Sequence, residues 1–176
     1  AEMIREMVMK LGGKVDMTSH PLLKKVQSTS SKRLVIFIST NKGLCGGLNS
    51  NLFRRTLTHY QSIEANVWVT LGRKGASFVT SMSASVVADF SEKSNFVQSV
   101  SAVTDFITNE FLSGSVVGVD LVYNEFLSIL RQQPKIKQIL PLSVEGLPEG
   151  DVHISGDFLI EPSPSEVFES LLPSYV

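Results

Sequence analysis

The sequence predicts an α/β fold, a Rossmann-like three-layer domain with a mixed, mainly parallel sheet and an antiparallel hairpin. Apolar runs of strand length alternate with segments of helical periodicity, which is typical of a parallel sheet covered by helices. The run from Leu34 to Thr40 is rich in β-branched and aromatic residues, as expected of a strand buried on both faces. At 176 residues, 43% of them hydrophobic, the chain is long enough to bury its own core.

The expected elements follow one another along the chain. Strands are expected at Leu34–Thr40, Val67–Leu71, Val86–Val87, Val116–Tyr123, Ile136–Leu142 and Phe158–Ile160. Helices are expected before Gly12, from about Asn49, over Arg73–Met82, from Phe96 to near Gly114, and from Ser165. The core stripes of two helices are expected to be Leu52, Phe53, Leu57, Tyr60, Ile63 and Phe96, Val100, Val103, Ile107. The hairpin connection is expected at Gln132–Lys135, with Phe126–Leu130 prolonging the preceding strand past a bend.

Charge and cysteine content narrow the function classes. The net charge of −1 gives no basis for binding nucleic acid or an anionic membrane over the whole surface. The two ends differ, because residues 1–33 carry seven Lys or Arg against three Asp or Glu, whereas residues 138–176 carry seven acidic residues and no Lys or Arg. These are either solvated faces or faces for differently charged partners. One cysteine excludes an internal disulfide, and neither a signal peptide nor a transmembrane helix is expected.

The stretch STNKGLCGGLNSN, residues 39–51, is the most unusual in the chain, and its segment Thr40–Gly47 is called the glycine corner below. It follows a strand and precedes a helix, where nucleotide-binding folds hold phosphate. The dinucleotide fingerprint needs glycines at positions 0, +2 and +5, but Gly43, Gly46 and Gly47 fall at 0, +3 and +4. Lys42 precedes the glycines, which also excludes a Walker motif. The spacing therefore disfavours a nucleotide site.

Other candidate sites are no stronger. Cys45 lacks a histidine in a recognisable catalytic context, and we expect it to pack a tight turn. Arg73 and Lys74 begin a helix after Gly72 and are either an anion site or a charged surface turn. One cysteine and three dispersed histidines give no zinc-ligand spacing. The sequence therefore predicts a binding or transmission domain with no catalytic, cofactor or metal site.

Four blocks of the sequence are distinctive in content and order: HPLL at 20–23, STNKGLCGG at 39–47, LVYNEFLS at 121–128 leading to QILPL at 138–142, and EPSPSEVFESLLPSYV at 161–176. They resemble the gamma-subunit family of F-type ATP synthases, whose first strand-to-helix corner STNKGLCGG resembles. Asn41 departs from the usual Asp. Most of the family's two long coiled-coil helices is missing, so residues 1–19 resemble the end of the first rotor helix, residues 20–163 the globular domain, and residues 164–176 the start of the second.

The resemblance implies a non-catalytic rotor subunit that couples proton flow through a membrane ring to ATP synthesis. Its partners would be the alpha and beta subunits, the epsilon subunit and the ring, at the cytoplasmic face of a bacterial inner membrane. The resemblance places one contact with the beta subunits at Thr40, Asn41, Lys42, Gly43, Leu44 and Cys45. It places a contact with the ring at Phe158, Leu159, Ile160, Glu161 and Pro162. The alternative is a small dinucleotide-dependent enzyme that uses the segment Gly43–Gly47.

Overall fold

The computed structural model describes Leu22, residues 30–91 and residues 96–142, with the backbone alone described for 96–99. The chain forms two compact units, one of residues 26–139 and one of residues 1–25 with 140–176. In the second unit, the amide of Leu142 donates a hydrogen bond to the carbonyl of Leu22 at 3.0 Å. The predicted terminal helices, the strand Phe158–Ile160 and the boundaries at 19/20 and 163/164 lie outside the described residues.

Five strands and three helices make up the described part of the chain. The strands are β1 (Arg33–Ile38), β2 (Val67–Leu71), β3 (Ser85–Asp89), β4 (Gly118–Ser128) and β5 (Arg131–Leu140). The helices are α1 (Leu48–His59), α2 (Arg73–Ser81) and α3 (Phe96–Leu112). The sheet has the order β3-β2-β1-β4-β5, and its first four strands are parallel. Two residues join β4 to β5, so this last pair is antiparallel, because a parallel pair needs a long crossover. The predicted mixed α/β fold is confirmed.

The strand order decides where the helices lie. The chain moves from β1 to β2 to β3 in one direction and then returns to β4 on the other side of β1. Right-handed crossovers therefore place α1 and α2 on one face of the sheet and α3 on the opposite face. The carboxyl ends of β1, β2 and β4 meet at one edge of the sheet, called the carboxyl edge below.

The core beneath α1 and α2 is aromatic. The ring of Phe37, from β1, lies 6.0 Å from that of Phe53 and 5.9 Å from that of Phe78. Phe53 and Phe78 stack with centroids 4.3 Å apart and planes within 2° of parallel, which joins the two helices directly. Trp68 of β2 is fully buried and donates from its indole nitrogen to the carbonyl of Ile63 at 2.9 Å. This close packing makes the unit stiff.

A buried polar cluster joins β1 to β4 near the amino ends of these strands. Arg33 donates from Nε and Nη2 to the two carboxylate oxygens of Asp120 at 2.6 and 2.5 Å. The hydroxyl of Tyr60, just after α1, donates to the same carboxylate at 3.0 Å. Burial raises the pKa of Tyr60 well above its usual range, and the neighbouring Asp120 raises it further. The hydrogen bond to Asp120 likewise raises the pKa of Arg33.

Several sequence predictions are wrong in detail. The hairpin turn is Ile129–Leu130, and residues 132–135 lie within β5. β4 runs on as one strand to Ser128, without the expected break into two pieces. Leu57 and Val100 are exposed, although both were expected on core stripes. α1 ends at His59, so Tyr60 and Ile63 are buried from the loop that follows it. The apolar stripe extends past the helix because the loop folds back over Trp68.

Candidate functional site

The glycine corner is a tight turn with left-handed backbone angles at its exposed tip. β1 ends at Ile38, and the amide of Ser39 still donates to Leu71 of β2 at 2.8 Å. Leu44 and Gly46 then adopt left-handed backbone angles, both with φ of 58°. A leucine pays a steric cost in this conformation that a glycine avoids. The side chain of Leu44 is nevertheless fully exposed, so burial in this unit does not offset that cost.

Hydrogen bonds fix the beginning of the corner to the start of α2. The amide of Gly75 donates to Ser39 Oγ at 2.6 Å, and the amide of Lys74 donates to the carbonyl of Thr40 at 3.1 Å. Asn41 Oδ1 accepts from the amide of Arg73 at 3.0 Å. The first three amides of α2 are therefore used within the protein. A helix N-terminus binds anions through such amides. Because none of these three is free, the structure favours the charged surface turn over the anion site, the two alternatives at Arg73 and Lys74.

The two glycines of this second turn are required by close approach. Gly72 has φ of 110°, and a Cβ added there would lie 2.7 Å from the carbonyl carbon of Ser39. A Cβ on Gly75 would lie 2.5 Å from Cδ1 of Phe37 and 2.8 Å from Ser39 Oγ. Only glycine lets the β2–α2 turn lie this close to the end of β1. The two strand-to-helix turns therefore form one rigid block.

Inside the corner, Cys45 belongs to a small polar cluster. Asn49 Nδ2 donates to Thr40 Oγ1 at 2.7 Å and lies 3.3 Å from Cys45 Sγ. Thr40 Oγ1 donates to the carbonyl of Lys42 at 2.6 Å, and Cys45 Sγ lies 3.6 Å from the same carbonyl oxygen. None of these groups is a general base, which a nucleophilic cysteine needs. The thiol, half-buried in the turn, has the packing role that the sequence predicts.

The outer surface of the corner is cationic around an apolar tip. It borders an open depression of about 530 Å³ lined by Asn41, Lys42, Gly43, Leu44, Arg73, Lys74 and Ser77. Lys42, Arg73 and Lys74 are all exposed. A fully exposed leucine ringed by exposed cations is suited to contact with a protein surface that is apolar and acidic.

Four of the six residues predicted at this contact line the depression, and the other two, Thr40 and Cys45, hold the turn from within. The structure adds Arg73 and Lys74, which the sequence analysis treats separately from the corner, and Ser77, which it does not single out. The available signal was topological, since β1 and β2 are parallel neighbours whose carboxyl ends meet at one edge. The second predicted contact, Phe158–Pro162, lies outside the described residues.

Metal-ligand clusters and membrane-spanning helices are absent from the part of the chain that the structure describes. Within residues 22, 30–91 and 96–142, no three His, Cys, Asp or Glu side chains gather in a way that could hold a metal ion. None of the helices in those ranges is long and apolar enough to cross a membrane.

The fold and the corner together define a class of protein, a Rossmann-like domain in which the β1–α1 corner is hydrogen-bonded to the start of α2. A family described as ATP synthase matches the sequence over residues 1–176, and the chain belongs to this family. The resemblance carried by the four motif blocks is thus confirmed. The alternative, a small dinucleotide-dependent enzyme, gains no support from these matches.

The similar proteins are named as gamma chains. The ATP synthase gamma chain of Opitutus terrae is 36% identical over 190 residues, covering 100% of this chain and 63% of that protein. The ATP synthase gamma chain of Chlorobaculum tepidum is 33% identical over 184 residues, covering 98% of this chain and 61% of that protein. The chain therefore spans about three-fifths of the length of these relatives.

Solved structures agree on the fold. The central stalk and c-ring structure of Tetrahymena thermophila mitochondrial ATP synthase contains a chain with a TM-score of 0.58 and 17% identity, covering 98% of this chain and 81% of that one. The rotor of Euglena gracilis mitochondrial ATP synthase gives a TM-score of 0.54, again at 17% identity, covering 99% and 71%. At this identity the likeness concerns the fold alone.

Proposed function

We propose that the chain is the globular part of a non-catalytic central-stalk subunit, which couples proton translocation through a membrane ring to ATP synthesis or hydrolysis by rotation. The supporting relatives are named ATP synthase gamma chains. The structural observation that carries the proposal is the exposed apolar and cationic surface of the glycine corner. The first three amides of α2 beside the corner are used within the protein, and the fully exposed side chain of Leu44 lies among the exposed cations Lys42, Arg73 and Lys74. Such a corner binds a protein surface and leaves nucleotide chemistry to other subunits.

The partners follow from this proposal. Nucleotide chemistry takes place on the beta subunits of the alpha–beta hexamer. The segment Thr40–Cys45 contacts these subunits. Phe158–Pro162 contacts the polar loops of the membrane ring, and the epsilon subunit docks on a flank of the domain. The protein then sits as a peripheral subunit at the cytoplasmic face of a bacterial inner membrane.

Torque transmission requires that the corner keep its shape under load. The three hydrogen bonds from the start of α2, the contacts at Gly72 and Gly75, and the stacked rings beneath both helices supply this stiffness. Close-packed protein interiors resist compression and transmit strain. The block is thus mechanically suited to push against a neighbouring subunit.

A binding experiment tests the proposal. The chain, in the length in which the cell makes it, is mixed with purified alpha–beta hexamer, epsilon subunit and membrane ring, and complexes are separated by size. We expect a stable complex with each. Absence of binding to all three would contradict the proposal, as would micromolar binding of NAD or ATP at the corner in calorimetric titration.

A further inference from the structure

The tip of the β4–β5 hairpin is the largest cluster of exposed apolar side chains in the described part of the chain. Phe126, Ile129 and Leu130 are 70%, 86% and 97% exposed, and Leu127 beside them is also exposed. Soluble surfaces rarely gather apolar side chains in this way unless something binds there. The tip is therefore a candidate binding surface.

The hairpin stands clear of the rest of the sheet. β1 pairs with β4 only as far as Phe37 opposite Val122, whereas β4 continues to Ser128 and β5 returns from Arg131. The six residues from Tyr123 to Ser128 extend roughly 20 Å at about 3.3 Å each. An isolated two-stranded ribbon is only marginally stable in water, so a partner that covers the tip would also stabilise it.

The turn residues are not explained by turn geometry. Two-residue hairpin turns favour Asn-Gly or Gly-containing pairs, but this turn is Ile129–Leu130. The side-chain amide of Gln132 donates to the carbonyls of Ser128 and Ile129 at 3.0 and 2.8 Å, which closes the turn from outside. The two turn positions thus carry large apolar side chains that contribute neither turn propensity nor core burial.

The hairpin and the glycine corner lie at the same carboxyl edge, because β1 and β4 are parallel. Asn124 Nδ2 also contacts the carbonyl of Leu48, the first residue of α1, at 3.4 Å, and links the base of the ribbon to the corner. Charges at this edge are mostly positive: Lys42, Arg73, Lys74 and Arg131 are exposed, and Lys135 is paired with Glu125 at 2.5 Å.

We infer that the hairpin tip Phe126–Leu130 is a second docking element for the subunit that the glycine corner contacts, and that it enters an apolar pocket with an acidic rim there. The inference rests on the proposed function and extends it from one contact to two. Charge complementarity favours this occupant, since the corner presents Leu44 among Lys42, Arg73 and Lys74 and the tip presents its apolar side chains beside Arg131. Two contacts at one edge of the domain would resist twisting against the partner better than one.

Cross-linking in the purified, assembled complex identifies the occupant. Leu130→Cys and Lys42→Cys, each in a Cys45→Ser background, carry a thiol-linked photoreactive group, and the adducts are identified by mass spectrometry. Leu112→Cys, an exposed position at the end of α3, is the matched control. We expect position 130 to label the alpha or beta subunit that position 42 labels, with the control not labelling it.

The outcomes separate the two proposals. Labelling of alpha or beta from position 42 but of epsilon, ring, lipid or a second copy from position 130 would overturn the inference and leave the function standing. If neither position 42 nor position 130 labelled the alpha or the beta subunit, both the inference and the proposed function would be overturned. As a second measurement, Ile129→Gln with Leu130→Gln should weaken hexamer binding roughly tenfold or more, while Leu112→Gln should leave it unchanged. Equal binding by the hairpin variant would also overturn the inference.

Discussion

The side-chain oxygen of Asn41 accepts a hydrogen bond at 3.0 Å from the backbone amide of Arg73, thirty-two residues further along the chain. It satisfies the first amide of α2 in the way a local N-cap residue would. This explains how Asn41 can replace the Asp that is usual at this position in the gamma-subunit family. Either side chain offers the required oxygen, and Asp would add a charge.

Replacing Asn41 tests this capping role. Asn41→Ala should lower the free energy of unfolding by about 1 kcal/mol, the usual cost of a lost cap. Asn41→Asp should keep the bond and gain about 0.3–1 kcal/mol from a negative charge at the helix N-terminus. Urea unfolding followed by circular dichroism measures both, with Asn109→Ala on the exposed side of α3 as control. Equal stability of the Ala and Asp variants would contradict the assignment.

The approach of the two turns predicts unequal costs at two glycines. Gly72→Ala should lower the free energy of unfolding by roughly 3 kcal/mol or more, because a Cβ meets the backbone of Ser39 and φ is also unfavourable. Gly46→Ala should cost only about 1–2 kcal/mol, since its φ is similarly unfavourable but the space around it is open. Thermal and urea unfolding compare the two. A Gly72 variant as stable as the Gly46 variant would show that the turns are not in contact.

The raised pKa of Tyr60 predicts that the free energy of unfolding decreases at alkaline pH. Its raised pKa keeps the hydroxyl protonated in the folded state, whereas an unfolded tyrosine ionises near pH 10. The contribution of Tyr60 is therefore complete below that pH and falls by about 1.4 kcal/mol per pH unit above it. At pH 7, Tyr60→Phe should cost roughly 1.5–3 kcal/mol through the lost bond to Asp120.

The measurement is the stability difference between Tyr60→Phe and the unmodified chain, taken from urea unfolding at pH 7 and again above pH 10. The difference should shrink as the pH rises. Tyr123→Phe, which also removes a tyrosine hydroxyl but from β4, is the matched control. A difference that stays constant across this range would contradict the buried hydrogen bond.

The sequence was informative wherever periodicity controls structure. The alternation of apolar runs correctly predicted β1, β2 and the three helices, because burial of one face dominates such segments. It failed at the hairpin, where Gln132–Lys135 looked like a turn by composition. The actual turn uses Ile129–Leu130, since a side chain of β5 supplies the closing hydrogen bonds.

The candidate site was predictable in part for a similar reason. The glycine spacing disfavours a nucleotide site, and the motif resemblance predicts a contact at the corner residues, which stays a prediction. The corner lies beside Arg73 and Lys74 because β1 and β2 are neighbours in the sheet. Local sequence patterns do not predict this strand order. Asn41 could be noticed in the sequence as unusual, but its bond to Arg73 is visible only in three dimensions.

Charge reversal at Lys42 tests the central claim that the corner transmits force to an acidic partner surface. Lys42→Glu in the assembled complex is compared with Arg54→Glu, an exposed cation on α1, by measuring ATP-driven proton pumping and ATP hydrolysis together. The effect of one exposed pair is modest, about 0–1 kcal/mol, so Lys42→Glu with Lys74→Glu is measured as well. We predict fewer protons pumped per ATP hydrolysed for the corner variants and no change for Arg54→Glu. Normal pumping by the double variant would contradict the account.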